Sequence, residues 1–96
     1  MPASAAAQTD AQIEAFIRNH ADTIYHPVGS CRMGSGPLDV VNSRLQVHGT
    51  QGLRVVDASI MPSVVGGNTN GPTIMIAEKA VDMILADARQ AERLAA

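Results

Sequence analysis

An α/β arrangement of two helices, one β-hairpin and long irregular connections is what the sequence predicts, and three patterns predict it. Apolar residues recur at Ile13, Phe16 and Ile17, the spacing of one helical face. Residues 44–48 and the start of "LRVVDAS" alternate apolar and polar, the period of a strand. Residues 73–89 contain neither glycine nor proline, as a long helix requires.

Each element has local support. Residues 1–9 are small and without periodicity, so they are expected to be a disordered N-terminal stretch ahead of a folded segment 10–96. Thr9 is the expected N-cap of the first helix: Gln12 follows at capping-box spacing and Asp10 is favourable beside the positive end of the helix dipole. That helix should stop by about Asp22. From Thr23 to Asn42 the prolines at 27 and 37 and the glycines at 29, 34 and 36 enforce an irregular path. A loop that long is commonly functional or disordered. Leu45 and Val47 alternate with Arg44, Gln46 and His48, and "GTQG" offers turn chemistry between this run and Leu53–Val56, which predicts the hairpin. After the turn-rich "MPSVVGGNTNGP", Pro72 suits a first helical turn and the last helix should run from Thr73 to about Arg89. Its opening "TIMIA" is apolar on every side and is expected to be buried, whereas Glu78, Lys79, Asp82, Asp87 and Arg89 make the later part amphipathic.

Composition limits what such a chain can be. With 96 residues it buries only ~60–65% of the surface its unfolded form exposes. Apolar residues form 46% of it, yet Phe16 and Tyr25 are the only aromatics, so the core must rest on Ile, Val, Leu, Met and Ala. A helix buried all round at its start needs more cover than one short helix and a hairpin provide. The chain therefore reads as a piece of a larger fold. A net charge of −2 gives no basic footprint for nucleic acid. No apolar run approaches the ~20 residues of a transmembrane helix, and residues 1–9 lack signal-peptide character. With the single Cys31 unable to form an internal disulfide, a cytoplasmic setting is expected.

The candidate chemistry is concentrated in two loops. His20, His26, Cys31 and His48 match no paired zinc-ligand spacing, so no metal site is expected. Cys31 with a histidine base would make a nucleophile, and Arg32 would supply the electropositive setting; a lone cysteine is more commonly a small buried side chain. In "TIYHPVGSCRMG" His26 stands between Tyr25 and Pro27, which restrict the backbone and aim the imidazole. A structural, hydrogen-bonded histidine is the competing reading. In "GGNTNGPT", residues 66–73, glycines allow close backbone approach, and Asn68 and Asn70 precede a helix whose N-terminal amides attract negative charge. Asn70 as a simple cap is the competing reading there.

Taken together, "YHPVGSCRMG", "GLRVVDASIMP" and "GGNTNGPTIMIAEKAVDMI" resemble the C-terminal end of the glucose-methanol-choline (GMC) family of flavin oxidoreductases, nearest to its choline dehydrogenase-like alcohol dehydrogenases. The resemblance runs from about Asp10 to Leu85, with three motifs in the family's order. It implies that the chain is the C-terminal piece of an FAD-binding, Rossmann-like fold whose glycine-rich dinucleotide motif is absent from these 96 residues. It also implies roles. His26 resembles the base that takes the hydroxyl proton of a small-molecule alcohol while hydride passes to the flavin, and Asn68 resembles its partner. Asn70, Gly71, Pro72 and Thr73 fall where the family touches the flavin, as do Tyr25 and, through backbone groups, Asp57 and Ala58. Ser30 stands where threonine is common and Gly71 where alanine is common. The implied partner is the remainder of the enzyme, and the implied setting is cytoplasmic or peripheral to the inner membrane. A reading of a different class is a non-catalytic interaction module or inactive remnant that reuses the sequence.

Overall fold

Thr9 starts the first long helix. Its hydroxyl accepts from the Gln12 amide at 3.2 Å, and the Gln12 side chain accepts from the Thr9 amide at 3.1 Å, completing the capping box. In the computed structural model, which describes residues 3–96, α1 then spans Asp10–His20. It ends where Ala21 turns extended (φ −67°, ψ 137°). Residues 1 and 2 of the stretch expected to be disordered lie outside the described residues; Ala3–Ala6 form one 3-10 turn. The apolar face of α1 exists but contains no buried residue, and Ile17 is 54% exposed. The molecule is consequently drawn out to 72 × 28 × 16 Å. Its radius of gyration is 20.4 Å, against about 12–13 Å for a compact chain of this length.

The core lies further along the chain. Val41, Leu45, Ile60, Met61, Ile76 and Ala80 are its buried members. Val41, with no exposed surface, is paired on both sides, in a parallel bridge to Met33 and an antiparallel bridge to Val47. These pairings are backbone hydrogen bonds: Val41 N–H to Arg32 O at 3.4 Å, Gly34 N–H to Val41 O at 2.9 Å, and His48 N–H to Val40 O at 3.0 Å.

The expected β-hairpin does not form. Val47 N–H donates to Leu53 O and Val55 N–H to Leu45 O, both at 3.0 Å, which frames the single bridge Gln46–Arg54. Pairing goes no further for two reasons. Leu45 has a left-handed backbone (φ 63°) that no regular strand tolerates, and the Val47 carbonyl, which a longer hairpin would pair with the Leu53 amide, accepts instead from the Thr50 amide at 3.3 Å and the Thr50 hydroxyl at 2.9 Å. Asn42 stabilises the bend, its Oδ1 accepting from the amides of Arg44 at 2.9 Å and Gln46 at 3.1 Å. The described residues thus hold isolated bridges and no strand.

The last helix, α2, is longer than the sequence predicts, spanning Asn70–Ala95. Thr69 is its N-cap, so Asn70 occupies the first helical position and is not the cap. Pro72 is tolerated in third place because the amide it lacks is one of the four that have no partner within a helix. At the other end "QAERLA" is rich in good helix formers and extends the element past Arg89. Burial at the helix start also differs from expectation. Ile76 and Ala80 pack into the core, whereas Ile74 and Met75 are 54% and 59% exposed. Only one side of "TIMIA" finds cover within this chain, and an apolar face of Ile74, Val81 and Leu85 stays open.

Two ionic devices hold these parts together. The Asp87 carboxylate on α2 accepts from Arg44 through one oxygen and from Arg54 through the other. Arg54 also donates to Arg44 O at 2.8 Å, tying the irregular 44–54 segment to the helix. Asp39 closes the 34–39 loop, accepting from Arg32 Nε at 2.5 Å and from the Gly36 amide at 2.7 Å. The Arg54 and Arg44 hydrogen bonds hold Asp87 below its ordinary 3.8, and the Gly36 amide and Arg32 do the same for Asp39. A depressed carboxylate contributes stability that is complete above its unfolded pKa and is lost as pH falls through the folded value. Acidification below pH 3.8 is therefore expected to release the Val40–His48 and Ala80–Asp87 amides to hydrogen exchange before α1 changes. Asp87→Asn should show the same loss at neutral pH. A side chain at Gly34 would collide with the Asp39 carboxylate, while one at Gly66 meets nothing within 4 Å. Gly34→Ala is expected to destabilise the bridges around Val41 by ~1–3 kcal/mol, and Gly66→Ala to leave their amide protection unchanged.

Candidate functional site

The 3-10 turn Ala58–Ile60 is the base on which the site stands. Asp57 caps it: its carboxylate accepts from the Ser59 amide at 2.7 Å and from the Ser59 hydroxyl. The hydroxyl bond, then the amide bond, hold the Asp57 carboxyl below its ordinary range. So capped, the turn presents Ser59 O to two donors at once, the amides of Gly29 at 3.1 Å and Cys31 at 3.0 Å. Met33 N–H follows onto Ile60 O at 2.9 Å. Gly29 has φ 89°, a left-handed value that glycine adopts without steric cost. The "VGSCRM" loop is thereby laid along the "DASI" turn.

His26 enters just ahead of this tethered stretch. Thr23 Oγ1 accepts from the Tyr25 amide at 2.9 Å, and Tyr25 has a left-handed backbone, φ 64°. For a bulky residue that conformation costs about 1–3 kcal/mol and is characteristic of functional sites. The Tyr25 carbonyl lies 3.0 Å from His26 Nδ1. On the other side of the ring, Nε2 lies 3.1 Å from the Asn68 side-chain oxygen, across 42 positions of sequence. Thr69 Oγ1 stands 3.5 Å from Nδ1. Thus His26, Asn68 and the N-cap of α2 meet at one point, with the imidazole half-buried and Asn68 exposed.

The other expected site residues are distributed around that point. Asn70 and Gly71 form the exposed opening of α2, followed by the half-buried Pro72 and Thr73. The Thr73 hydroxyl is engaged within the helix, donating to Thr69 O at 2.7 Å. Asp57 and Ala58 reach the histidine loop through Ser59 O and do not touch the imidazole. The Tyr25 ring is exposed, so this residue meets His26 through its carbonyl. Cys31 is half-buried and contributes its amide to the Ser59 contact. His48 belongs elsewhere, with Nε2 donating to Gly34 O at 2.8 Å, and His20 lies on α1 against Phe16 O. No group of three or more potential metal ligands occurs among the described residues.

The residues present fit a group that gathers negative charge. Thr69 makes no side-chain cap bond, so the first amides of α2 at Asn70 and Gly71 are not capped by it. Added Cβ atoms at Gly66, Gly67 or Gly71 would meet nothing within 4 Å, so the backbone there is open to close approach. Thr23 and Thr69 are parts of the site that sequence reasoning missed, as is the left-handed conformation of Tyr25. Thr69 carried a signal, as a threonine directly before a helix start; the left-handed Tyr25 carried none.

Comparison with known proteins finds relatives of this chain. The family model for GMC oxidoreductase matches residues 1–77. The oxygen-dependent choline dehydrogenases of Escherichia coli strains K12 and O139:H28 are each 57% identical over 77 residues, 80% of this chain and 14% of theirs. Among solved structures, pyridoxine 4-oxidase from Mesorbium loti superimposes with a TM-score of 0.68 at 38% identity, over 76% of this chain and 14% of that one. The chain thus spans about one seventh of the length of these relatives. With motifs, fold and family match in agreement, the chain belongs to the GMC oxidoreductase family.

Proposed function

We propose that this chain is the C-terminal segment of an FAD-dependent enzyme that oxidises an alcohol to an aldehyde or ketone, with His26 as the general base. The meeting of His26 Nε2 with Asn68 at 3.1 Å beside the start of α2 carries this reading. Asn70, Gly71, Pro72 and Thr73, with Tyr25 and the Asp57–Ala58 backbone, would hold FAD, which would supply the hydride acceptor for the substrate carbon. Every other role falls to the residues of this chain and of the enzyme's front part. His26 accepts the hydroxyl proton as the alcohol becomes a carbonyl, a proton transfer worth ~10²–10⁴-fold. Asn68 orients the alcohol oxygen through its amide. The Asn70 and Gly71 amides, with the positive end of the α2 dipole, favour the negative charge that gathers beside them, a preorganised contribution that needs no rearrangement. Asp57 keeps the capped turn in place, and Ala58 offers backbone groups beside it.

A non-catalytic interaction module draws support from the open face of Ile74, Val81 and Leu85. The same face is explained more economically as the surface that the rest of the enzyme covers. No helix among the described residues is long and apolar enough to cross a membrane.

In a holoenzyme carrying this segment as its C-terminal end, His26→Ala is expected to slow the chemical step ~10²–10⁴-fold with flavin retained. Asn68→Ala should cost less, since an amide orients but takes no proton. Cys31→Ser and His48→Gln should keep most turnover. If His48→Gln abolished turnover while His26→Ala spared it, in folded flavin-loaded protein, the base would be misassigned. The 96-residue chain alone is expected not to bind FAD tightly, and its copurification with stoichiometric flavin would contradict the segment reading.

A further inference from the structure

We propose that Thr23 is a positioning residue that selects the tautomer of His26, making Nε2 the proton-accepting nitrogen; the inference rests on His26 being the base. It follows from a chain of three contacts. The Thr23 hydroxyl accepts from the Tyr25 amide at 2.9 Å. That bond pins Tyr25 in its left-handed conformation, φ 64°, which a bulky side chain does not hold unaided. The conformation turns the Tyr25 carbonyl onto His26 Nδ1 at 3.0 Å.

A carbonyl oxygen only accepts, so the nitrogen facing it carries the hydrogen. Neutral imidazole has one N–H. With that hydrogen on Nδ1, Nε2 presents its lone pair towards Asn68. The Asn68 oxygen stands 3.1 Å from Nε2 and in that orientation calls for the opposite tautomer; the amide exchanges its two ends by a half-turn, and with its NH2 turned inward it donates to Nε2 until an alcohol takes its place. The competing donor is the Thr69 hydroxyl, 3.5 Å from Nδ1. It would support the opposite tautomer, but only from beyond the distance of a well-formed hydrogen bond, so the Tyr25 carbonyl prevails.

The readout is the ring-nitrogen NMR spectrum of the full chain labelled with 15N-histidine, recorded at alkaline pH. The wild type is expected to show Nδ1 protonated and Nε2 bare, opposite to the preference of free imidazole. Thr23→Ser should retain that signature because it keeps the accepting hydroxyl. Tyr25→Gly should also retain it, since glycine adopts the left-handed conformation without cost. Thr23→Val should revert His26 to the free-imidazole pattern while Val41 and Ala80 amide protection persists. A wild-type spectrum with Nε2 protonated overturns the proposal, whether or not the variants fold. Retention of the signature in Thr23→Val removes Thr23 from the chain of contacts. Neither result depends on turnover, so loss of the base assignment in the holoenzyme would be distinguished from failure of this inference.

Discussion

One carbonyl oxygen organises the functional half of this molecule. Ser59 O accepts from both Gly29 and Cys31, and it can do so only because Asp57 folds the backbone into a 3-10 turn that turns the carbonyl towards them. The two amides belong to a loop with no periodic hydrogen bonding of its own, and in these half-buried residues each finds its partner in that one oxygen. The turn in turn rests on Ile60 and Met61, which are core residues packed with Ile76 and Ala80 of α2. Through this one junction the core, the histidine loop and the helix start become a single unit. The site is therefore no more stable than a core of six buried side chains allows.

That core is thin for a physical reason visible in the composition. Without aromatic bulk, a few aliphatic and methionine side chains fill the space between an irregular loop layer and one long helix. The helix presents apolar residues on more than one face, and the chain has material to cover only one. α1 repeats the pattern: it is well capped and has an apolar face, yet buries nothing. Local sequence preferences form both helices here, while few of the contacts that normally reward helix formation are made within the 96 residues.

Legibility followed the range of the interactions involved. The Thr9 capping box is encoded within four residues and could be read directly. The loops around His26 and residues 66–73 announced themselves by proline and glycine. The convergence of His26 and Asn68 spans 42 positions, which no local pattern reveals; the family resemblance pointed to it. The hairpin was misread because alternation records only which side chains differ in polarity. It is blind to the left-handed turn at Leu45 and to the capture of the Val47 carbonyl by Thr50. The burial of "TIMIA" was overread for a related reason: the pattern specifies a helix suited to burial, and the chain supplies cover for one face only.

The ion cluster at Asp87 makes the molecule unequal in its tolerance of change. Two guanidinium groups from one loop share a single carboxylate, so replacing either arginine still leaves a neutralised pair. Replacing the aspartate leaves two like charges held close together by the Arg54 bond to Arg44 O. Genetic variation at this cluster is thus filtered in one direction. Drift at positions 44 and 54 is buffered, and a second substitution can follow the first, whereas position 87 has no neutral route of escape while both arginines remain.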